Sequence, residues 1–368
     1  MREIQLGKRL IDRRHKAGIS QEELAKYMGV SKAAVSKWEN EQSYPDILFL
    51  PQLAAYFNIS IDELMGYEPQ LTKEEIRRHY FRFARAFETG SFEKVMGECK
   101  DEIKKYYSCY PFLLQMAVLL LNHAQMAANP TEVLEYALTL LKKIKLESDD
   151  ANDVKEATAI EATCYLILNR PEEALDILDE NVRPIPQDTE ILAQTYQRMG
   201  NVEKAREVSQ IAMYQHLLML VGDSSFYLTL CQTDMKKVEM IIERTDKIVE
   251  AYQLDYLHPN VMAAYYITCA QVYCMNGKED EAIAKLQGYV KLCTTSFFPF
   301  TLHGDDCFDK MDWWFAEFEL GNQAPRGEKL IKESMVSSMC DNPCFQNLKE
   351  RKEFLEMESK LRKLNLRN

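Results

Sequence analysis

The hydrophobic pattern of the first 66 residues predicts five short helices. Leu6, Leu10 and Ile11 form one apolar stripe, which a turn at Gly18 ends. Ser20 stands three residues before Glu23, the capping-box spacing that starts a second helix running to about Met28 and stopping at Gly29. Ser31 caps a third helix that ends near Asn40, and Pro45 punctuates the next loop. Ile47 to Phe57 reads as the fourth helix, and Ser60 with Glu63 as a second capping box opening a short fifth helix ended by Gly66.

Beyond a linker at 68–72 the pattern becomes helix, short turn, helix. Thr72 and Glu75 form a third capping box. Pro130, Pro171 and Pro259 each sit where a helix begins, the one place in a helix where the missing N–H is harmless. A spacing recurs here. Ala162, Tyr165, Asn169, Ala174 and Leu178 define one helix pair; Ala193, Tyr196, Gly200 and Ala205 repeat it, as do Ala270, Tyr273, Gly277, Ala282 and Leu286. The small residues let paired helices approach closely and the aromatic fills the gap beneath them. This pattern resembles the tetratricopeptide repeat, well over 152–212 and 261–293, and only as degenerate helix pairs over 73–150, 220–255 and 297–368. Such pairs stack into a superhelix with a concave face. The expected fold class is therefore all-α: a five-helix head at 1–67 and a helical-repeat region at 73–368.

Composition agrees. Gly (13) and Pro (12) are scarce in 368 residues, and 46% of the chain is apolar. The net charge of -12 argues at first against a nucleic-acid partner. It is unevenly spread, however: residues 1–40 hold nine Lys/Arg against five Asp/Glu, a local excess of four positive charges. The start, Met1-Arg2-Glu3, leads into a charged periodic segment and not an apolar export core, so a cytoplasmic location is expected. The longest apolar stretch, 111–128, is interrupted by Gln115, Asn122, His123 and Gln125 and falls short of the roughly 20 apolar residues that span a bilayer. The ten cysteines, scattered mostly through helical patterns, read as reduced, small buried residues.

The densest chemical signal lies at 21–40. Counting Gln21 as the first of twenty residues, Leu24, Ala25, Gly29, Val30, Val35 and Trp38 fall at the positions that fix two helices at a set angle. Ala25 must be small because the next helix crosses it, and Gly29 supplies the left-handed turn. Such a unit presents its second helix to a DNA major groove. With the runs Ser20 to Ala25 and Val30 to Asn40, these residues resemble the lambda-repressor-like (XRE) helix-turn-helix family over residues 4–66. The resemblance implies that Gln21 contacts a phosphate, that Ser31, Lys32 and Ala33 open the recognition helix, that Ser36 and Lys37 face the same groove one turn on, and that Asn40 reaches back to a phosphate. Chemically, Lys32 or Lys37 can donate to guanine, and the Ala33 methyl can pack on a thymine methyl. Lys32 and Lys37 also read as ordinary solvated residues. Two departures stand out: Ala33 occupies a position where the family often has Gln or Arg, and Glu41-Gln42 replaces a customary glycine. By composition Arg14 and Glu39 read as a surface pair, whereas the resemblance implies a buried one.

The order of head and repeats resembles the peptide-pheromone-responsive Rap-Rgg-NprR-PlcR-PrgX regulators, which implies a homodimer whose concave face binds a short peptide. Laying the repeat motif on Tyr196 and Tyr273 puts Gln194, Gln197, Arg198 and Gln271 on inner helix faces, where amides can hold an extended peptide; the same residues also read as ordinary polar lining. His303, Asp305, Asp306, Cys307 and Asp309 share one stretch, and Cys340 and Cys344 are four apart, but no usual zinc spacing results. No nucleotide-binding, metalloprotease or nucleophile-elbow motif occurs. Neither a cofactor nor catalysis is expected. The reading is a DNA-binding transcriptional regulator; the alternative is an interaction protein that inhibits a partner protein and carries an autoregulatory DNA-binding head.

Overall fold

The computed structural model describes residues 6–67 and 70–366, and the side chains of these up to Leu364. Glu68 and Pro69, half of the expected linker, lie outside the described residues. The chain divides into two compact units, Met1–Glu180 and Asn181–Asn368. Among the described residues all regular structure is helical; one isolated bridge joins Thr301 and Gln323.

The first unit begins with α1 (Leu6–Lys16), α2 (Gln21–Met28), α3 (Lys32–Glu39), α4 (Phe49–Phe57) and α5 (Ile61–Met65). The caps act as their residue types dictate. The Ser20 hydroxyl accepts from the Glu23 backbone N–H while the Glu23 carboxylate accepts from Ser20 N–H, closing the box that starts α2. Gly29 ends α2 at φ 68°, and Ser31 caps α3 by accepting from Ala34 N–H. Leu6, Leu10, Leu24, Ala25, Val35, Trp38, Leu53 and Leu64 bury one shared core. Each full Leu or Val side chain removed from water contributes about 1.5–3 kcal/mol against about 1 kcal/mol for a typical cap, so the core as a whole sets the helix angles and the caps set the helix ends. Gly7 is where α1 meets α3: a Cβ there would lie 2.7 Å from the Glu39 carbonyl oxygen and 2.8 Å from that of Trp38.

Two local expectations need correcting. The fourth helix starts at Phe49, not Ile47, because the Asp46 carboxylate accepts from Leu48 N–H and closes a turn first. The Ser60–Glu63 box is half made: the Ser60 hydroxyl accepts from Glu63 N–H, but the Glu63 carboxylate pairs with Arg13 across to α1.

The rest of this unit comprises α6 (Lys73–Thr89), α7 (Phe92–Lys105), α8 (Tyr110–His123), α9 (Pro130–Glu147), α10 (Ala151–Ile167) and α11 (Pro171–Ile177). The Thr72–Glu75 box starts α6. Gln70 donates to the Ser108 carbonyl at 3.1 Å, so the chain is tied to this helical body before α6 begins. The apolar stretch noted above is α8, buried on nearly every side among α6, α9 and α10; a helix apolar all round belongs at the centre of its body. No described helix is long and apolar enough to cross a membrane.

The second unit holds α12 (Asp188–Arg198), α13 (Val202–Leu230), α14 (Met235–Ala251), α15 (Leu254–Leu257), α16 (Pro259–Met275), α17 (Glu279–Thr295), α18 (Asp312–Ala316), α19 (Glu328–Cys340) and α20 (Lys352–Arg362). The repeated spacing maps onto α10–α11, α12–α13 and α16–α17. The turn residues Asn169, Gly200 and Gly277 all take the left-handed conformation, at φ 57°, 79° and 70°. Ala162, Ala174, Ala193, Ala205, Ala270 and Ala282 are buried between the paired helices. Tyr165 and Tyr273 are buried below them and Tyr196 half-buried. Leu178 departs from the pattern: α11 ends before it and its side chain is exposed. Two further expectations change. One helix, α13, continues through residue 220 for 29 residues, about 43 Å at 1.5 Å per residue, where a new pair was expected. Residues 296–327 contain only the five-residue α18 instead of a helix pair, because Asp305 and Asp312 accept backbone N–H groups of Cys307, Phe308 and Gly304 and hold a compact irregular loop.

Candidate nucleic-acid interface

Helix α3 has two faces. Val35, Trp38 and Glu39 are buried; Lys32, Ala33 and Lys37 are exposed, and Ser36 is partly so. The inward face is fixed by packing and by one ionic cluster. The Arg14 guanidinium forks onto Glu39, with Nε 2.6 Å from Oε1 and Nη2 3.1 Å from Oε2, and donates a third bond to the Ile19 carbonyl at 2.9 Å. The side chains are only 12% and 3% exposed. Gln21 Nε2 completes the set by donating to Glu39 Oε2 at 2.7 Å. One carboxylate thus ties α1, the start of α2 and the end of α3. The pair is buried, as the family resemblance implied, and Gln21 spends its amide on bracing α3.

The outward face is differently occupied. Lys32 lies 3.8 Å from Glu22, both well exposed, a contact that solvent weakens and a phosphate can replace. Lys37 projects from the last turn. The Ser31 hydroxyl accepts the cap bond and keeps its own proton to give. Asn40 folds back, donating to the Ser36 carbonyl at 2.8 Å. Glu41, which stands where the family carries a glycine, takes the glycine's conformation at φ 58°. The loop keeps its path at the expense of a strained residue. Thus Ser31, Lys32, Ala33, Ser36, Lys37 and Asn40 share one exposed edge, and Gln21 sits behind it. Glu39 as the hub that orders the edge was visible beforehand only as half of an ion pair.

The helix-turn-helix family profile matches residues 10–64. The HTH-type transcriptional activator BcrR of Enterococcus faecalis is 27% identical over 123 residues, 33% of this chain and 50% of BcrR. The HTH-type transcriptional regulator ImmR of Bacillus subtilis (strain 168) is 31% identical over 101 residues, 27% of this chain and 69% of ImmR. This chain belongs to the helix-turn-helix transcriptional regulators. The regulator spans about half the length of BcrR. Among solved structures, Bacillus thuringiensis PlcR in complex with the peptide PapR7 and DNA aligns with 78% of the regulator and 95% of its own chain, at 14% identity and a TM-score of 0.28.

The regulator's second unit contains a separate cavity of about 660 Å³ between α12 and α13. Gln194 and Gln197 line it; Arg198 and Gln271 do not. Its other wall comes from Arg206, Ser209, Gln210, Met213 and Cys307. Gln210 binds the 296–311 loop through Asp309 and the Lys310 N–H, each at 2.8 Å. The sequence marked Cys307 only among metal-binding candidates, and its place in this wall was not legible, because nothing in a helical pattern predicts that a loop some hundred residues on folds over α13. The acidic loop gathers no metal site: among the described residues no three His, Cys, Asp or Glu side chains converge as ligands.

Proposed function

We propose that the regulator binds operator DNA through the head at 1–67, joined by 68–72 to a repeat region at 73–368 that dimerises and senses a peptide. The observation that carries the DNA reading is the two-faced α3: a braced inner face behind an outer edge of Lys32, Ala33, Ser36 and Lys37. The lysines supply phosphate and guanine contacts, and Ala33 adds an apolar one. A single head makes few base contacts, so two heads on half-sites about one helical turn apart, or a multiple of it, supply the affinity.

Dimerisation draws support from α13, whose outer half exposes Met219, Leu220, Phe226 and Leu230. Contiguous apolar exposure of this kind is what an interface removes from water. Peptide sensing draws support from the α12–α13 cavity and its two amides. A ligand there changes how the repeat region holds the heads, and so changes DNA affinity without touching α3.

The test starts with selection of a bound sequence from a random duplex pool by the full chain. Lys32→Ala with Lys37→Ala should then weaken binding to that sequence and lower the salt slope by about one per lost phosphate contact. Unchanged affinity at matched salt removes α3 from the interface. Light scattering should give a dimer that Phe226→Asp with Leu230→Asp converts to a monomer.

A further inference from the structure

The α12–α13 cavity is one of three that share wall residues. A second, of about 370 Å³, shares Cys307 with it and is walled by Tyr252, Gln253, Tyr256, Asp305 and Asp306. A third, of about 630 Å³, shares Gln253 and Tyr256 with the second and continues past Glu250, Asp255, Tyr266 and Lys285. All three lie in the second unit, strung from α12 past the Cys307 loop to α17. A row of neighbouring cavities with shared walls suits an extended ligand of several residues better than a compact one.

The lining has a sign. Six carboxylates face the track: Glu190, Asp246, Glu250, Asp255, Asp305 and Asp306. Its two cations are already engaged. Lys285 is gripped by both oxygens of Asp246, at 2.6 and 2.7 Å, and Arg206 reaches Glu203 at 2.8 Å. Asp255 accepts the Tyr266 hydroxyl at 3.0 Å, and Asp305 accepts two backbone N–H groups of its own loop. Among the described residues Asp306 and Glu250 have no ion-pair partner. Asp306 shares the middle cavity with two tyrosines; Tyr256 is 57% exposed and its ring lies 4.6 Å from that of His303, which props it at the cavity edge. Carboxylates beside part-exposed aromatic rings attract a cation by charge and by the ring quadrupole together.

We infer that the track takes an extended peptide carrying Lys or Arg, with the cationic side chain seated in the middle cavity between Asp306, Tyr252 and Tyr256, and with Glu250 drawing positive charge into the next cavity. The inference rests on the peptide-sensing reading above and adds the chemical class of the ligand and its path. The same excess of carboxylates disfavours an acidic peptide.

The experiment is retention of a randomised heptapeptide pool on immobilised full-length regulator, read by mass spectrometry. Lys and Arg should be enriched roughly fivefold over the input, the effect of about one exposed ion pair. Asp306→Asn with Glu250→Gln, both at solvent-accessible sites, should abolish the enrichment while leaving thermal unfolding unchanged. Cys307 is the exposed thiol among the ten cysteines, so the retained pool should slow its alkylation by iodoacetamide. Retention without cationic enrichment, or enrichment that survives the double variant with Cys307 unprotected, overturns this inference and leaves peptide sensing standing. No retention at all overturns both.

Discussion

The DNA-binding head and the second unit both hold a lysine or arginine against a carboxylate, and the two arrangements differ in kind. In the head, Arg14–Glu39 is largely withdrawn from water, and both Glu39 oxygens and all three Arg14 nitrogens have partners. In the second unit, Lys285–Asp246 is bidentate and Tyr265 adds a hydroxyl, yet Asp246 is 45% exposed and lines a cavity. The first arrangement fixes an angle between helices. The second leaves its carboxylate facing a space where something else can bind. A cation on a carboxylate braces helices in one place and lines a cavity in the other, and burial decides which.

The largest expected effect tests this contrast directly. Arg14→Ala strands the Glu39 carboxylate in the core and should destabilise the head by about 3–5 kcal/mol, as buried pairs do when one partner is removed. Lys285→Ala should lower stability by under about 1 kcal/mol, because water reaches Asp246. Urea unfolding followed by hydrogen exchange in each segment checks both. Equal losses would erase the distinction.

A middle-sized effect concerns Glu41. A non-glycine residue held left-handed stores about 1–2 kcal/mol, and glycine gives part of that back through its freer unfolded chain. Glu41→Gly should therefore stabilise the head by up to about 1 kcal/mol without altering operator affinity, read from thermal melts and gel shifts. The smallest effect lies in the second unit. His258 caps α16 by accepting from Val261 N–H through Nδ1, a role only the neutral ring fills. Burial holds its pKa below the usual 6.5. As pH falls below about 6.5 the unfolded chain takes up a proton before the folded one does, so stability declines until the folded pKa is passed. His258→Asn keeps a capping acceptor and should flatten that part of the decline, measured as melting temperature between pH 7.5 and 5.

Legibility followed the range of the interactions. The head was readable almost to the residue because its signals are local: Ser20 and Glu23 are three apart, Gly29 ends a helix by its own conformation, and Leu24, Val35 and Trp38 mark one face. The turns at Asn169, Gly200 and Gly277 were readable for the same reason. Where a distant partner outbid a local one, the reading slipped. Glu63 left its capping box for Arg13, and Gln210 joined a loop a hundred residues away. The repeat spacing put a new helix pair at 220–255, whereas Leu217, Val221 and Leu228, buried along α13, carry one helix through. The row of cavities in the second unit was the least legible feature, since its walls come from stretches far apart in the chain, around residues 190–213, 246–266, 284–288 and 305–307.

The single carboxylate of Glu39 also bears on how such a regulator can change its target. Three segments depend on that residue, so drift at Arg14, Gln21 or Glu39 alone is penalised, and the three positions should change together or not at all. Positions 32, 33, 36 and 37 carry none of that burden. On the DNA reading proposed above, their side chains form a cassette that can be exchanged for those of another family member while the scaffold stays in place. On that reading, new operator preferences can arise in a few substitutions, each tested by selection against an unchanged frame.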